Sequence, residues 1–385
     1  MARLGDLCEI FAGQGAPQGD NNYCDRSYGV PFIKAGDLSD LLSGKSENKL
    51  QCVNDEVAKS HKLKLYPSGS ILFAKSGMSC MKGYIYRTQY PCYVVSHLAI
   101  VIPEKVDGEY LKFYFQYNKP NFLIKDAAYP SISLQDISNI ELQLPNIEEQ
   151  EAIAASLNKV SELIFLRKQQ LSKLDELVKS RFIEMFGDVI TNSKSWKQYI
   201  FSEIATSRLG KMLDAKQQTG ESSFPYLANF NVQWFRFDLT SLNQMDFDEE
   251  DRVEFELKEG DLLVCEGGEI GRCAVWHNEM QPCYFQKALH RVRCNTEVIN
   301  PNYMAWWFKY NCDHNGFAAI EGAKATIAHL PGAKLKLLRV TTPPIELQNE
   351  FAAFIEQIDK SKFEIQKSLE KLETLKKALM QKYFG

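Results

Sequence analysis

The chain has 385 residues, 45% apolar, 24% charged and 12% aromatic, an ordinary globular composition with material for two or three domains. No apolar run approaches the ~20 residues that span a bilayer, and the opening "MARLGDLCEIFAGQG" lacks the pattern of a signal peptide, so a cytoplasmic protein is expected. The net charge of −4 at pH 7 excludes a uniformly basic chain, although a nucleic-acid partner needs only a local basic surface. Ten cysteines are scattered without Cys-x-x-Cys or a histidine at zinc spacing, which reads as free thiols in a reducing compartment and no metal site.

In chain order, the first landmarks are "LGDLCEI" from Leu4 and "VPFIKAGDL" from Val30. "PSGSILFAKSG" (Pro67–Gly77) carries a short apolar run bounded by glycines, which predicts a buried strand and a turn. "YVVSHLAIVIP" from Tyr93 reads as a further strand, and "EYLKFYFQYN" ending at Asn118 as a helix. The aromatics of that helix fall at helical spacing and read as core, not as a platform for bases.

Then comes "PNIEEQEAIAASLNKV" from Pro145, with Glu148, Glu149 and Glu151 in the first turn, where acidic side chains meet the positive helix end. Roughly 38 residues follow without Gly or Pro, about 57 Å of helix. "GDVITNSKSW" (Gly187–Trp196) breaks the run.

Beyond the break every landmark returns. "FSEIATS" from Phe201 answers "LGDLCEI", and "FPYLANFNV" answers "VPFIKAGDL". "KEGDLLVCEGG" (Lys258–Gly268) answers the buried strand, "PCYFQKA" from Pro282 answers "PCYVVSH", and "NYMAWWFKYN" ending at Asn311 answers the aromatic helix. "FQKALHRVRC" reads as another strand. Finally "PPIELQNEFAAFIEQI" from Pro343 repeats Pro, Ile-Glu-x-Gln and a long helix, closing on "YFG" where the first copy closes on "MFG". The chain is an internal duplication.

Both long helices carry an apolar stripe in steps of three and four: Ile153, Leu157, Val160, Ile164, Leu171, Leu174 and Val178, then Phe351, Ile355, Ile358, Ile365, Leu369, Leu372 and Leu379. That spacing is a coiled-coil seam, and helices this polar elsewhere need a partner, which each copy offers the other. The expected division is residues 1–144, a first globular block; 145–187, the first helix; 188–342, the second block; and 343–385, the second helix.

Catalytic patterns are missing. "TPPI" at Thr342–Ile345 lacks the Asn or Asp and the aromatic of a base-methylating loop. "GQGAPQG" (Gly13–Gly19) has the wrong spacing for a cofactor loop. Asp246 or Asp248 with Glu256 and Lys258 mimics a Mg²⁺ nuclease arrangement, but the first block has no counterpart, and a solvated charged face is the ordinary explanation. The six histidines lack any triad-like context.

Two similar, non-identical blocks joined by a rigid spacer make a bipartite reader of a linear polymer, and duplex DNA suits a fixed gap. The ordered landmarks, twice over essentially the whole chain, resemble the specificity subunit of a type I restriction–modification system. The resemblance implies an α+β chain: two homologous α/β target-recognition domains separated by two long, paired antiparallel coiled-coil helices. It also implies no catalytic site and no cofactor in this chain. S-adenosylmethionine, ATP and Mg would belong to partner subunits: modification (methyltransferase) subunits, two of them, and ATP-dependent restriction subunits.

Base readers are expected on loops, with Arg/Lys suited to guanine and Asn/Gln to adenine. The candidates are Lys34, Lys75, Ser76, Lys82, Arg87, Tyr129, Ser131 and Gln135 in the first block. In the second they are Asn229, Asn231, Arg236, Glu266, Arg272, Lys324, Thr326 and His329. The competing readings are a metal-dependent nuclease-like enzyme and a scaffold that binds no DNA.

Overall fold

The computed structural model describes residues 1–214, 218–317 and 329–385. Each globular block clasps its own ends: Ala2–Arg3 pairs antiparallel with Glu141–Leu142, and Lys197–Ile200 with Arg339–Thr342. Inside the first clasp lies a four-stranded antiparallel sheet in the order Cys8–Ala12, Leu98–Pro103, Ile71–Ala74, Tyr86–Arg87. The second block repeats it as Ala205–Leu209, Leu289–Cys294, Leu262–Cys265, Cys273–Val275. A three-stranded sheet accompanies each: Cys52–Val53, Val30–Ile33, Tyr93–Val94 in the first, and Asn243–Asp246, Ser223–Leu227, Tyr284–Phe285 in the second. In both, the last pairing is parallel. The duplication therefore extends to strand order and strand direction.

The structure divides two segments that the sequence presents as single strands. Tyr93–Val94 and Leu98–Pro103 belong to different sheets, joined by a turn at Val95–His97; Tyr284–Phe285 and Leu289–Cys294 repeat that switch. The first strand of each block comes against this turn at a glycine. A Cβ on Gly13 would sit 2.1 Å from the Val95 carbonyl oxygen, and one on Gly210 2.4 Å from that of Gln286. Only glycine permits so close an approach.

The aromatic helices are Gly108–Tyr117, capped by the Asp107 side chain, and Pro301–Asp313, capped by Asn300 with proline in its first turn. Their aromatics are core: Phe115 meets Phe73 of the sheet at 5.5 Å. The long helices run Ile147–Phe186 and Ile345–Phe384. The repeated Ile-Glu-x-Gln now has a reason. Gln150 is buried; its Oε1 accepts from the Asp107 backbone N–H at 2.9 Å and its Nε2 donates to the Pro145 carbonyl at 2.8 Å. Gln348 does the same with Asn300 (2.9 Å) and Pro343 (2.7 Å), and its Nε2 also reaches the Val298 carbonyl. One side chain thus locks the start of the long helix to the capping residue of the aromatic helix.

Two compact units result: Met1–Lys168 with Lys367–Gly385, and Gln169–Gln366. The four consecutive segments expected from the sequence are not these units, because each long helix is shared between both. In the first unit Leu157 is buried with Phe113 and Met380, and Lys168 pairs with Glu373 at 2.9 Å. In the second, Asp175 pairs with Lys362 at 2.6 Å and Arg181 with Glu350 at 2.9 Å. Residue numbers rise on one helix as they fall on the other, so the pairing is antiparallel within each unit. Every residue of the expected seam is buried or half-buried. The "MFG" and "YFG" ends are equivalent too: Phe186 packs on Tyr303 at 4.8 Å, and Phe384 on Tyr110 at 5.2 Å.

Candidate nucleic-acid interface

Three loops meet at one end of the four-stranded sheet of the first block. The chain leaving Ile71–Ala74 enters at Lys75, whose N–H donates to the His97 carbonyl at 2.9 Å; its carbonyl accepts from Ile132 at 2.8 Å. Ser76 bridges to Ser131, and its hydroxyl lies 2.8 Å from His97 Nδ1. The third loop adds Tyr129, 82% exposed, and runs into the short helix Leu134–Ser138, where Gln135 donates to Asn139.

The second block builds the same junction. Glu266 follows Leu262–Cys265; its N–H donates to the Ala288 carbonyl at 3.0 Å and its carbonyl accepts from Leu330 at 2.7 Å. Gly267 bridges to His329. Asn229 donates its amide to the Gly267 carbonyl at 2.9 Å, and Arg272 donates to the backbone and side-chain oxygens of Asn229 at 3.0 and 3.2 Å. Beneath the junction His290 is buried, its Nε2 2.9 Å from the Leu330 carbonyl. Burial holds its imidazole below the usual histidine range, against the bond to Leu330 and the nearby Glu266 carboxylate.

Seven of the residues singled out from the sequence thus meet at the two junctions: Lys75, Ser76 and Ser131, then Asn229, Glu266, Arg272 and His329. Lys34 approaches the first, since the Ile33 carbonyl before it accepts from Val95; its Nζ donates to Gln51 and lies 4.4 Å from the centre of the Tyr23 ring. Lys82 is exposed at the end of the turn Met78–Lys82, which follows Lys75 in the chain and is anchored by the buried Cys80.

Others stand apart. Arg87 pairs with Ile71, at the opposite end of the strand from Lys75, and its guanidinium is held by Glu109 at 2.9 Å. Asn231 is buried, its amide donating to the Asp238 and Ser241 carbonyls and accepting from Ala228. Arg236 is exposed on the hairpin formed by Val232–Gln233 and Arg236–Phe237. Lys324 and Thr326 lie outside the described residues.

The sequence reading left out one residue at the junction of the first block and one against the glycine that follows Lys82. His97 is engaged by Ser76, and Lys119 lies against Gly83, where an added Cβ would meet its Cδ at 2.9 Å. His97 could have been found from its place in the repeated "PCYVVSH" landmark; Lys119 had no such signal.

Two acids of the nuclease-like pattern serve the fold. Asp246 accepts from the Thr219 hydroxyl and the Gly220 N–H at 2.9 Å each, and Asp248 caps the helix Glu249–Phe255. Among the described residues no group of three or more His, Cys, Asp or Glu is placed to hold a metal ion. All ten cysteines are free thiols.

The sequence model of the type I restriction modification DNA specificity domain matches the chain twice, over residues 1–176 and 193–377. The chain belongs to that family. The type I restriction enzyme MjaIX specificity subunit of Methanocaldococcus jannaschii is 28% identical over 152 residues, 38% of this chain and 33% of that protein. The putative type I restriction enzyme MjaX specificity subunit of the same organism is 26% identical over 176 residues, 45% of this chain and 41% of that protein. The matched part therefore spans well under two thirds of either relative.

The fold of this specificity-domain protein is shared more widely than its sequence. The S subunit of a type I restriction–modification system from M. genitalium superposes with a TM-score of 0.63 at 13% identity, covering 100% of this chain and 95% of that one. A chain from work on assembly and conformational transition of the type I R-M system gives 0.56 at 16% identity, covering 100% and 96%. Among the described residues no helix is long and apolar enough to cross a membrane.

Proposed function

We propose that this chain is the DNA-reading subunit of a cytoplasmic type I restriction–modification system. Each block reads one half of a gapped duplex target, and the two long helices set the gap and carry the partner subunits. The observation that carries this reading is one loop junction built twice, on one strand order, with different side chains. A duplicated scaffold with divergent loops suits two different half-sites.

On this reading the chain supplies recognition and no chemistry. Modification subunits hold S-adenosylmethionine, and restriction subunits use ATP and Mg. Exposed apolar residues support the docking of two equal partners. Phe165 (50% exposed) and Leu375 (47%) stand on the helices of the first unit, and Phe363 (66%) and Leu177 (47%) on those of the second. Each pair mirrors the other in the repeat.

The test is selection of sites from a randomised duplex pool by the chain with its modification subunit. Two short elements at one constant gap are expected, and replacing residues 1–144 by another first block changes one element only. A single ungapped motif, or no selection at low salt, overturns the reading.

A further inference from the structure

Lys75 and Glu266 occupy the same place in the two blocks. Each is the first residue after the corresponding sheet strand. Each gives its N–H to the turn that joins the two sheets and its carbonyl to the third loop, at 2.9 and 2.8 Å in one block and 3.0 and 2.7 Å in the other. The backbone is thus pinned on both sides, which aims both side chains from equivalent positions. Their charges are opposite. Both are half-buried, and among the described residues neither side chain has a hydrogen bond or an ion pair. The ion pair of Arg272 is with Glu269, at 3.5 Å.

Resting on the DNA-reading function proposed above, we infer that this position is a specificity switch read by charge. Lys75 donates to the O6 and N7 acceptors of a guanine, and Glu266 accepts from the N4 amino group of a cytosine. The physical reason lies in the surroundings of DNA. Phosphates repel a carboxylate, so a glutamate with no hydrogen-bond donor among the described residues meets its donor on the nucleic acid. In the major groove the cytosine amino group is the donor that a carboxylate recognises, as guanine is the target of lysine. The two blocks would thus read a G·C pair from opposite partners with one backbone geometry.

The experiment repeats the randomised-pool selection with wild type, Lys75→Glu, Glu266→Lys and Glu266→Gln, each with the modification subunit. Wild type should select a guanine in one element and a cytosine in the other. Glu266→Lys should invert the C·G pair to G·C at one position of the second element, and Lys75→Glu should do the converse in the first. Glu266→Gln should lose about tenfold to a hundredfold of the discrimination there. The element read by the unaltered block is the control for an intact complex. A wild-type selection that fails to yield a gapped site would sink the DNA-reading function itself. A normal wild-type site with unchanged base preference in the variants overturns the inference alone. So does a Glu266→Lys variant that merely binds all sequences more tightly, which would place residue 266 near phosphates.

Discussion

Gln348 is fully buried, and both ends of its amide are engaged with backbone groups at the start of a long helix. A buried amide is costly unless satisfied, so this residue cannot be exchanged for a hydrophobe of similar size without orphaning its partners. Gln348→Leu leaves the Asn300 N–H and the Val298 and Pro343 carbonyls without that side chain, and should cost the second unit about 2–3 kcal/mol. Urea denaturation of wild type and variant checks this; a loss under ~0.5 kcal/mol would mean that water replaces the amide. Lys75 and Glu266 present the contrasting case. Their backbones do structural duty while neither side chain has a hydrogen bond or ion pair among the described residues, so the fold constrains their position and leaves their chemistry open.

At the scale of elements, the long helices separate two kinds of apolar residue. Leu157 is buried in the first unit, whereas Phe165, two turns further along the same helix, is half exposed. The first holds the helix to its surroundings; the second contributes little to a free chain. Leu157→Ala should therefore cost about 3–5 kcal/mol, and Phe165→Ser less than about 1 kcal/mol. Thermal denaturation measures the first difference. Gel filtration with the modification subunit measures the other half of the argument: Phe165→Ser should weaken association where Leu157→Ile does not. A Phe165→Ser chain that assembles as wild type would remove this residue from the docking surface.

For the whole molecule, the division into units explains why the C-terminal residues matter to the N-terminal block. Phe384 packs on Tyr110 at 5.2 Å and Tyr114 at 6.1 Å, while Phe186 packs on Tyr303 and Phe351 at 4.8 and 5.3 Å. Each block is thus closed by the end of the long helix that stands before it in the repeat, with the last helix serving the first block. Phe384→Ala, at a half-buried site, should destabilise the first unit by about 1–3 kcal/mol, and Phe186→Ala, at a fully buried one, the second by about 3–5 kcal/mol. Hydrogen exchange resolved along the chain distinguishes them: faster exchange in residues 1–144 for the first variant, and in the second block for the other. Equal loss of protection in both blocks would mean that the units unfold as one.

The sequence alone determined the duplication, the long helices, the apolar seam and the aromatic helices, because each rests on local periodicity or on a landmark that appears twice. It also brought out Lys75, Ser76, Asn229, Glu266 and Arg272, since loop residues after buried strands are where readable side chains belong. It missed the bracket formed by Gln150 and Gln348, although the repeated motif displayed both residues, because a hydrogen bond across 43 or 48 positions leaves no local trace. It grouped Arg87 with Lys75, although Arg87 pairs with the far end of that strand, and left His97 out of the group, because the end of a strand at which a residue emerges depends on register. Only the tertiary structure decided that each long helix is shared between two units, and that Lys75 and Glu266 hold one position with opposite charge. Strand pairing and loop junctions arise from residues far apart in the chain, and their geometry exists only once the sheet has closed.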